Sequence, residues 1–448
     1  MRFLGYDKKK KQYHNRLGII LSLIVLFPNF YNLYGNSYLS HRATTFFVTF
    51  ACLFMLLYWN RGNLRFKSSG YVLVIAGIMF LEIIYRLVII LLFSKTLSLV
   101  DVLDVFRVVV YLFFFILPVV IIYEKDMSEV EEVAIFIRNV LVALSIIEIV
   151  VSLGVFFPTF YPVMNLLKGR QSTDRVFFQF LRFSGTLGYP ADLGFFLIFP
   201  LNILLLEFVL KSRRSSIMLY TILLFGEIMT ASRASIAALG ISHLFSALFC
   251  LLCISKNRAK LFIKFSLFSL IITLTISSLL WGLRGTSSIG EYYIEYVLKF
   301  VEKGFYSDES SYYRLNEIVE GWQISKSTLF GYGASKEYFS TYHGPVESLY
   351  YYYLAKWGIF GFGFIIFFAG IVITKLVKTA KIISTSKKYQ SVLIFLLSNA
   401  SVVASVFVFG VGSTFFRNKT PLYFYYIIGV SLFLVSVIKE QTFYSNKK

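Results

Sequence analysis

With 57% of its 448 residues hydrophobic and only 15% charged, the chain carries more apolar side-chain surface than a soluble globular domain can bury. The formal net charge of +20 is typical of nucleic-acid-binding proteins. Most lysines and arginines, however, lie in short clusters between apolar runs, which is the pattern of membrane proteins. We therefore expect a lipid bilayer, and no nucleic acid, as a partner.

Apolar runs of roughly 18–25 residues recur along the chain, and each is long enough to cross a ~30 Å hydrocarbon core. The first run lacks a small-residue cleavage site, so we expect it to be retained as a membrane helix. We predict an all-α polytopic membrane protein, a single integral membrane domain over residues 1–448. It has about twelve transmembrane helices and a large, partly helical outer loop before the last three. The predicted helices lie near residues 17–35, 43–59, 70–93, 102–123, 133–156, 190–210, 215–231, 234–254, 262–283, 358–375, 390–411 and 421–438.

Five basic clusters fall on one side of these helices, and the positive-inside rule places that side in the cytoplasm. The clusters are Lys8 to Lys11, Arg61 to Lys67, Lys211 to Arg214, Lys256 to Lys260 and Lys375 to Lys388. We therefore expect a multi-pass protein of the bacterial cytoplasmic membrane with both termini in the cytoplasm.

Two pairs of opposite charges lie inside predicted helices, where isolated charges are costly. Glu82 and Arg86 are four residues apart, and Asp104 and Arg107 are three apart, so each pair shares one helix face. Two interpretations stay open: ion pairs that fix helix packing, or a pathway for protons or substrate.

The first long outer connection, residues 157–189, ends in the sequence RFSGTLGYP, which begins at Arg182. Its two glycines, Gly185 and Gly188, free the backbone, and the closing proline favours the start of a helix. The hydroxyl of Thr186 adds a hydrogen-bonding group. Alone, Arg182 is typical of an interfacial anchor.

A second arginine, Arg233, lies in the sequence TASRAS between two apolar runs with almost no loop. This arrangement predicts a tight turn at the outer face. The small neighbours permit close helix packing, so Arg233 either snorkels to the interface or faces a cavity.

The second long outer connection, residues 284–345, is rich in Tyr, Ser, Gly and charge. Two of its stretches, IEYVLKFVEKGF and RLNEIVEGWQIS, have the apolar spacing of short amphipathic helices. Arg314 opens the second stretch, and a Gly-Tyr-Gly turn centred on Tyr332 follows it. Long loops are usually lids or binding loops, so we expect this connection to cap the functional site.

The segment that returns to the membrane carries four consecutive tyrosines, residues 350–353. Their rings and hydroxyls suit stacking on sugars, although tyrosine is also common at membrane interfaces. His343 alone is typical of a surface histidine. Glu347 follows four residues later, but Pro345 favours a helix start after His343.

Several motifs of cofactor-dependent enzymes are missing from the sequence. It has no Walker loop, no Gly-x-Gly-x-x-Gly fingerprint and no His-Glu-x-x-His motif. It also has no cluster of cytoplasmic carboxylates of the kind that binds a metal together with a nucleotide sugar. We therefore expect neither a cofactor nor a metal.

Together these residues resemble the O-antigen polymerase and ligase superfamily, the membrane glycosyltransferases that assemble bacterial surface polysaccharides such as O-antigen and capsule. The similarity covers nearly the whole chain, and four local patterns follow the family's order. They are Arg182, Gly185, Thr186 and Pro190; Ser232 and Arg233; Arg314, Trp322, Gly331 and Gly333; and Glu347, Ser348, Gly358 and Gly361. Ligase-like members often have His-Asn where this chain has Glu347, which favours a polymerase over a ligase.

The resemblance implies a donor glycan on polyprenyl pyrophosphate and an acceptor hydroxyl on a second lipid-linked oligosaccharide, joined at the outer face of the membrane. Cleavage of the anomeric bond places negative charge on the pyrophosphate, and arginine binds phosphate oxygens bidentately. We therefore expect a metal-independent, inverting transfer in which arginines clamp the leaving group. Glu347 is the expected general base, with His343 as the alternative. The expected clamp consists of Arg182, Arg233, Arg314 and Arg284, and the other expected substrate contacts are Gly185, Thr186, Tyr332, Tyr350 and Tyr351.

Two alternatives stay open beside the polymerase. One is a ligase that moves finished glycan onto another lipid, a protein or the cell wall. The other is a flippase or another transporter of lipid-linked oligosaccharide, which is expected to show a pseudo-repeat of its halves. A polymerase also implies flippase and chain-length regulator proteins as partners.

Overall fold

A computed structural model describes residues 2–27, 37–60, 70–93, 99–121, 130–154, 182–254, 258–282, 295, 302, 309–333, 348–413 and 419–445. In these residues the regular structure is entirely helical, so the predicted all-α class is confirmed. The α-helices are α1 (Arg2–Leu26), α2 (Ser37–Asn60), α3 (Gly70–Phe93), α4 (Leu99–Ile121), α5 (Val130–Leu153), α6 (Pro190–Lys211), α7 (Arg214–Met229), α8 (Arg233–Cys253), α9 (Arg258–Gly282), α10 (Glu309–Ser327), α11 (Leu349–Ile383), α12 (Gln390–Gly412) and α13 (Thr420–Ser445). Short 3-10 turns lie at Gly185–Leu187 and Lys387–Tyr389.

Eight of the described helices are long and apolar enough to cross a membrane: α3, α4, α5, α6, α8, α11, α12 and α13. Large apolar side chains point outward from them, as at Leu91 and Leu92, each 70% exposed. Such side chains suit a lipid environment. Helix α7 has 16 residues and extends about 24 Å, which is shorter than a ~30 Å hydrocarbon core. The described helices are therefore those of a multi-pass membrane protein, whereas spans beyond these eight stay a prediction.

The centre of the bundle is formed by α6, α12 and α13. In the 18-residue apolar stretch of each of these helices 89% of the residues are buried, compared with 33% in that of α11. Helices that are apolar on every side are expected in such a central position. Polar contacts join these helices to each other and to α8: Asn399 of α12 donates to Ser431 of α13 at 2.8 Å, and Asn202 of α6 donates to Ser242 of α8 at 2.6 Å.

The bundle has two ends, which we call the lysine end and the arginine end. At the lysine end, Lys211 finishes α6 and its Nζ donates to Ser391 Oγ at the start of α12, at 2.6 Å. Glu131 of α5 accepts there from the backbone N–H groups of Ser391 and Val392, at 2.7 and 3.0 Å. At the arginine end, α7 finishes beside the start of α8, which opens with Arg233. Which end faces the cytoplasm stays a prediction.

Both predicted pairs of intramembrane charges are ion pairs. The Arg86 guanidinium contacts the Glu82 carboxylate, and Arg107 lies 2.8 Å from Asp104. Asp104 also pairs with Lys356 of α11 at 3.2 Å, and Arg86 donates to the Tyr353 hydroxyl at 2.8 Å. These contacts join α3, α4 and α11, which favours the packing interpretation.

Two predicted helices differ from the structure. The helix predicted over residues 358–375 begins at Leu349 and ends at Ile383, because the tyrosine-rich segment is also helical and Gly358 kinks the helix without ending it. The first predicted helix, 17–35, ends at Leu26. The second amphipathic stretch of the large loop lies within α10, whereas the first falls largely outside the described residues.

Candidate functional site

Arg182 is bound to the end of α7. Its Nε donates to the carbonyl oxygen of Thr230 at 2.9 Å and its Nη2 to that of Ala231 at 3.0 Å. The next residue, Phe183, donates its backbone N–H to Met229 at 2.9 Å. The last carbonyls of a helix have no partner within the helix. Arg182 therefore completes the C-terminus of α7 and fixes the turn that follows it.

The turn between α7 and α8 is as tight as predicted. Ala231 adopts a left-handed conformation (φ 48°), which costs a non-glycine residue about 1–2 kcal/mol. Ser232 then caps α8, since its hydroxyl accepts from the backbone N–H of Ser235 at 3.4 Å. Arg233 is the first residue of α8 and is half-buried. The hydrogen bonds of Arg182 and the Ser232 cap therefore fix the backbone from which Arg233 extends.

Arg314 of α10 lies near the end of α12, where α12 packs on the first turn of α8. Its Nη1 lies 3.8 Å from the point that a Cβ on Gly412 would occupy, at the end of α12. The Cβ of Ala234, the residue after Arg233, lies 2.8 Å from the same point. The small residues at Gly412 and Ala234 thus allow α8 and α12 to approach closely and leave Arg314 beside the start of α8.

The structure therefore places three predicted arginines, Arg182, Arg233 and Arg314, at the arginine end of the bundle. Arg182 lies in the connection before α6, Arg233 at the start of α8, and Arg314 in the loop helix α10. Guanidinium groups remain charged at any physiological pH and present donors in a fixed fork. Such a concentration of positive charge at the end of a membrane bundle is suited to binding phosphate oxygens.

Gly185 and Thr186 lie in a 3-10 turn that packs against the carboxylate of Glu148. Glu148 belongs to α5 and is completely buried. Glu148 accepts from the backbone N–H of Thr186 at 2.6 Å and from the Thr186 hydroxyl. Gly185 has a φ of 55°, and a Cβ there would overlap Glu148 Oε2. The glycine is therefore needed for the approach of the carboxylate as well as for the backbone conformation.

A buried lysine, Lys419, completes this cluster just before α13. Its Nζ donates to the carbonyl oxygens of Thr186 at 3.2 Å and of Phe27 at the end of α1. Burial lowers the pKa of the Lys419 ammonium to about 7, while the carboxylates of Glu148 and Asp192 act to raise it. These contacts connect α1, α5 and α13 to the segment that carries Arg182.

Replacing Glu148 with glutamine is expected to lower the free energy of unfolding by about 1–3 kcal/mol. Both carboxylate oxygens of Glu148 accept hydrogen bonds from Thr186, whereas an amide accepts only at its oxygen. Thermal unfolding of the purified protein in detergent micelles measures this loss. Glu440→Gln is the matched control, since Glu440 makes no hydrogen bond or ion pair in the described part of the chain. Equal stability of the two variants would contradict a role for Glu148 in holding the turn.

The start of α11 is fixed by another acidic residue, Glu317 of α10. Its Oε2 accepts from the backbone N–H of Ser348 at 2.9 Å, and the Ser348 hydroxyl accepts from that of Tyr350 at 3.2 Å. Gly321, one helical turn further along α10, lies so close that a Cβ would be 3.1 Å from Tyr351 Cα. Helix α10 is therefore packed directly on the tyrosine-rich segment.

The four tyrosines do not form the exposed ring surface that we expected. Tyr351 is only 1% exposed, and the rings of residues 352 and 353 are also buried. Tyr350 is half-buried, and its hydroxyl donates to the carbonyl oxygen of Phe407 at 2.9 Å. These side chains are buried because the tyrosine-rich segment is the start of α11, and α10 and α12 pack against α11. The amino-acid composition of the segment does not reveal this packing.

The Gly-Tyr-Gly turn is interlocked with the kink of α11. Tyr332 donates its backbone N–H to Ala355 at 3.0 Å, and Gly333 donates to Lys356 at 2.9 Å. Both Gly331 and Gly358 have positive φ angles, of 75° and 64°. The predicted substrate contact Tyr332 thus lies beside the kink of α11, several residues from the start of that helix. Its backbone N–H group joins the turn to α11.

Arg284, His343 and Glu347 lie outside the described residues. Sequence reasoning missed the contacts of Glu148, Glu317 and Lys419. Glu148 could have been recognised, because a lone acidic residue in an apolar run usually has a polar partner. Glu317 and Lys419 lie in polar segments, where a charged residue gives no such signal. In the described ranges, no group of three or more His, Cys, Asp or Glu side chains is placed to hold a metal ion.

The fold and the site define a helical, multi-pass membrane protein with a concentration of arginines at one end. No protein-family model matches the chain. No curated protein sequence matches it significantly either.

Proposed function

We propose that this protein is a polysaccharide polymerase that joins polyprenyl-pyrophosphate-linked oligosaccharide units at its arginine end. The observation that carries the proposal is the presence of Arg182, Arg233 and Arg314 at the same end of the bundle, around the start of α8. Arginine stays charged and binds phosphate oxygens bidentately. A pyrophosphate at the head of a membrane lipid is a ligand of matching charge that reaches this end from the bilayer.

In the proposed reaction, a hydroxyl oxygen of the acceptor sugar attacks the anomeric carbon of the donor from the face opposite the pyrophosphate. The new carbon–oxygen bond forms as the bond to the pyrophosphate oxygen breaks, and the electron pair of that bond stays on the pyrophosphate. The configuration at the anomeric carbon therefore inverts. Glu347, or alternatively His343, accepts the hydroxyl proton as general base.

The arginines act on the leaving group. Arg233 and Arg314 donate to the pyrophosphate oxygens, on which negative charge develops in the transition state, and such donors are most effective in a site that excludes water. Arg284 is a further ligand in this proposal. Arg182 adds positive charge and, through Thr230 and Ala231, positions the turn that carries Arg233. The guanidinium groups take the place of a divalent cation.

A reconstituted reaction tests the proposal. Purified protein in liposomes, supplied with lipid-linked units extracted from cells that lack the gene, is expected to form glycan chains longer than one repeat unit. Gel electrophoresis of the labelled glycan measures their length, and the reaction is expected to proceed in EDTA. Protein-free liposomes are the control. If the units remain single in the presence of folded protein, the polymerase proposal is wrong.

The products that accumulate after deletion of the gene separate the polymerase from its alternatives. Chains of a single repeat unit at the cell surface support a polymerase. Long lipid-linked chains that remain unattached support a ligase. Units that stay on the cytoplasmic face, together with a purified protein that forms no glycosidic bond, support a transporter.

A further inference from the structure

A second candidate site lies at the lysine end of the bundle, among the ends of α6 and α8, the start of α9 and the connection between α11 and α12. It is a cavity of about 300 Å³, at the lower limit of the ~300–1,000 Å³ typical of small-molecule sites. Apolar side chains of α6, α9 and α12 form part of its wall. The polar part is formed by Lys260, Lys264, Lys387, Ser384, Thr385 and Ser386.

The cavity is lined by positive charge. Among the described residues that line it, three are lysines and none is acidic. Lys264 donates to the carbonyl oxygen of Val209 and to Ser212 Oγ, both at 2.9 Å, which holds its ammonium in place and leaves its third N–H for a ligand. Lys260 and Lys387 make no hydrogen bond or ion pair in the described part of the chain. An anion in the cavity would therefore meet three ammonium groups.

The nearby N-terminus of α12 does not account for an anion site by itself. Its backbone N–H groups at Ser391 and Val392 already bind the Glu131 carboxylate. Any additional anion must be held by the lysines and hydroxyls of the cavity. The cavity is also separate from the arginine end, because α8, with 21 residues, places about 30 Å between Arg233 and Ile254 in the cavity wall.

We propose that this cavity binds a phosphate group, which is carried by an anionic phospholipid of the adjacent leaflet or is free in solution as inorganic phosphate. Ammonium and hydroxyl groups donate, and phosphate oxygens accept. Basic cavities between membrane helices are suited to anionic lipid headgroups, and the apolar wall offers contact to the glycerol and acyl part of a lipid. This site is independent of the glycosyl transfer proposed for the arginine end.

Binding to the purified full-length protein in detergent micelles tests this site. Phosphatidylglycerol, phosphatidylcholine and inorganic phosphate are titrated separately, and native mass spectrometry and thermal unfolding report the bound ligand. Since each lysine near a membrane surface strengthens the attraction of an anionic lipid, the double variant K260Q/K387Q is expected to raise Kd at least about tenfold. Its matched control is K378Q/K388Q, which removes the same charge from exposed lysines that do not line the cavity.

The outcomes separate the two sources of phosphate. Preferential binding of phosphatidylglycerol over phosphatidylcholine, lost in K260Q/K387Q but not in the control, supports a lipid headgroup. Saturable binding of inorganic phosphate with the same pattern of variants, without a lipid preference, supports a soluble phosphate. No saturable binding of either probe, or equal loss in both double variants, overturns the proposal. The single variant K387Q, at an exposed position, replaces the double variant if that variant does not fold.

Discussion

Replacing Arg233 or Arg314 with alanine is expected to reduce polymer formation about 10²–10³-fold, which is the usual effect of removing one donor that stabilises transition-state charge. Arg233 is the first residue of α8, and Arg314 of α10 lies near the end of α12, where α12 packs on the first turn of α8. Neither lies at the centre of the bundle, so folding should be little affected. Initial rates with reconstituted protein and lipid-linked units, compared at equal protein levels, measure the loss.

Arg213→Ala is the matched control, because Arg213 is exposed at the lysine end, where its Nε contacts Ser215 Oγ at 3.1 Å. It is expected to retain wild-type activity. Lysine at positions 233 and 314 keeps the charge but not the planar fork, and it is expected to restore little of the rate. Wild-type polymer formation by either alanine variant would falsify the proposed pyrophosphate clamp.

Replacing Gly358 with alanine is expected to lower the free energy of unfolding by about 3 kcal/mol or more. The backbone at Gly358 (φ 64°, ψ −169°) lies in a region that is essentially restricted to glycine, where other residues are strained by about 1–3 kcal/mol. A Cβ would also overlap the Leu329 carbonyl oxygen and stand 2.6 Å from Gly331 N. Denaturant titration in mixed micelles, followed by circular dichroism, measures the loss.

Gly363→Ala, five residues further along α11, provides the control. A Cβ at Gly363 would have no neighbouring heavy atom within 4 Å, and alanine favours a helix by ~1 kcal/mol over glycine. This variant is expected to be as stable as the wild type or more stable. If Gly358→Ala were equally stable, the interlock between the Gly-Tyr-Gly turn and the kink of α11 would not contribute to the fold.

Some local features could be predicted because they depend on neighbours in the sequence. The tight turn before Arg233 follows from two apolar runs with almost no residues between them, and the structure confirms it. The pairing of Glu82 with Arg86 follows from helical spacing, and it is also confirmed. Helix boundaries were less certain: the apolar pattern alone did not reveal that α11 begins at Leu349, because its tyrosine-rich start resembles an interfacial loop.

The candidate site was only partly predictable. The sequence singled out Arg182, Arg233 and Arg314 one at a time, without showing how their positions are related in the packed bundle. It also suggested an exposed ring surface around Tyr351, which is buried against α10. The hydrogen bonds from Glu148 to Thr186 join residues that are 38 positions apart. Contacts between such distant residues depend on helix packing, which no local pattern specifies.

The sequence by itself determined the solvent and the architecture of this protein, since long apolar runs must lie in a bilayer and their backbone must then be helical. The tertiary structure decided which polar groups meet. It placed the loop helix α10 against the start of α11, so that Arg314 lies near Gly412 and Glu317 accepts from the backbone N–H of Ser348. It also gathered three lysines around one cavity at the opposite end. The physical reason is that the hydrophobic effect is non-directional, so it determines only that a helix lies in the bilayer. Hydrogen bonds and close contacts at glycines have a defined geometry, and they determine which helices pack against each other.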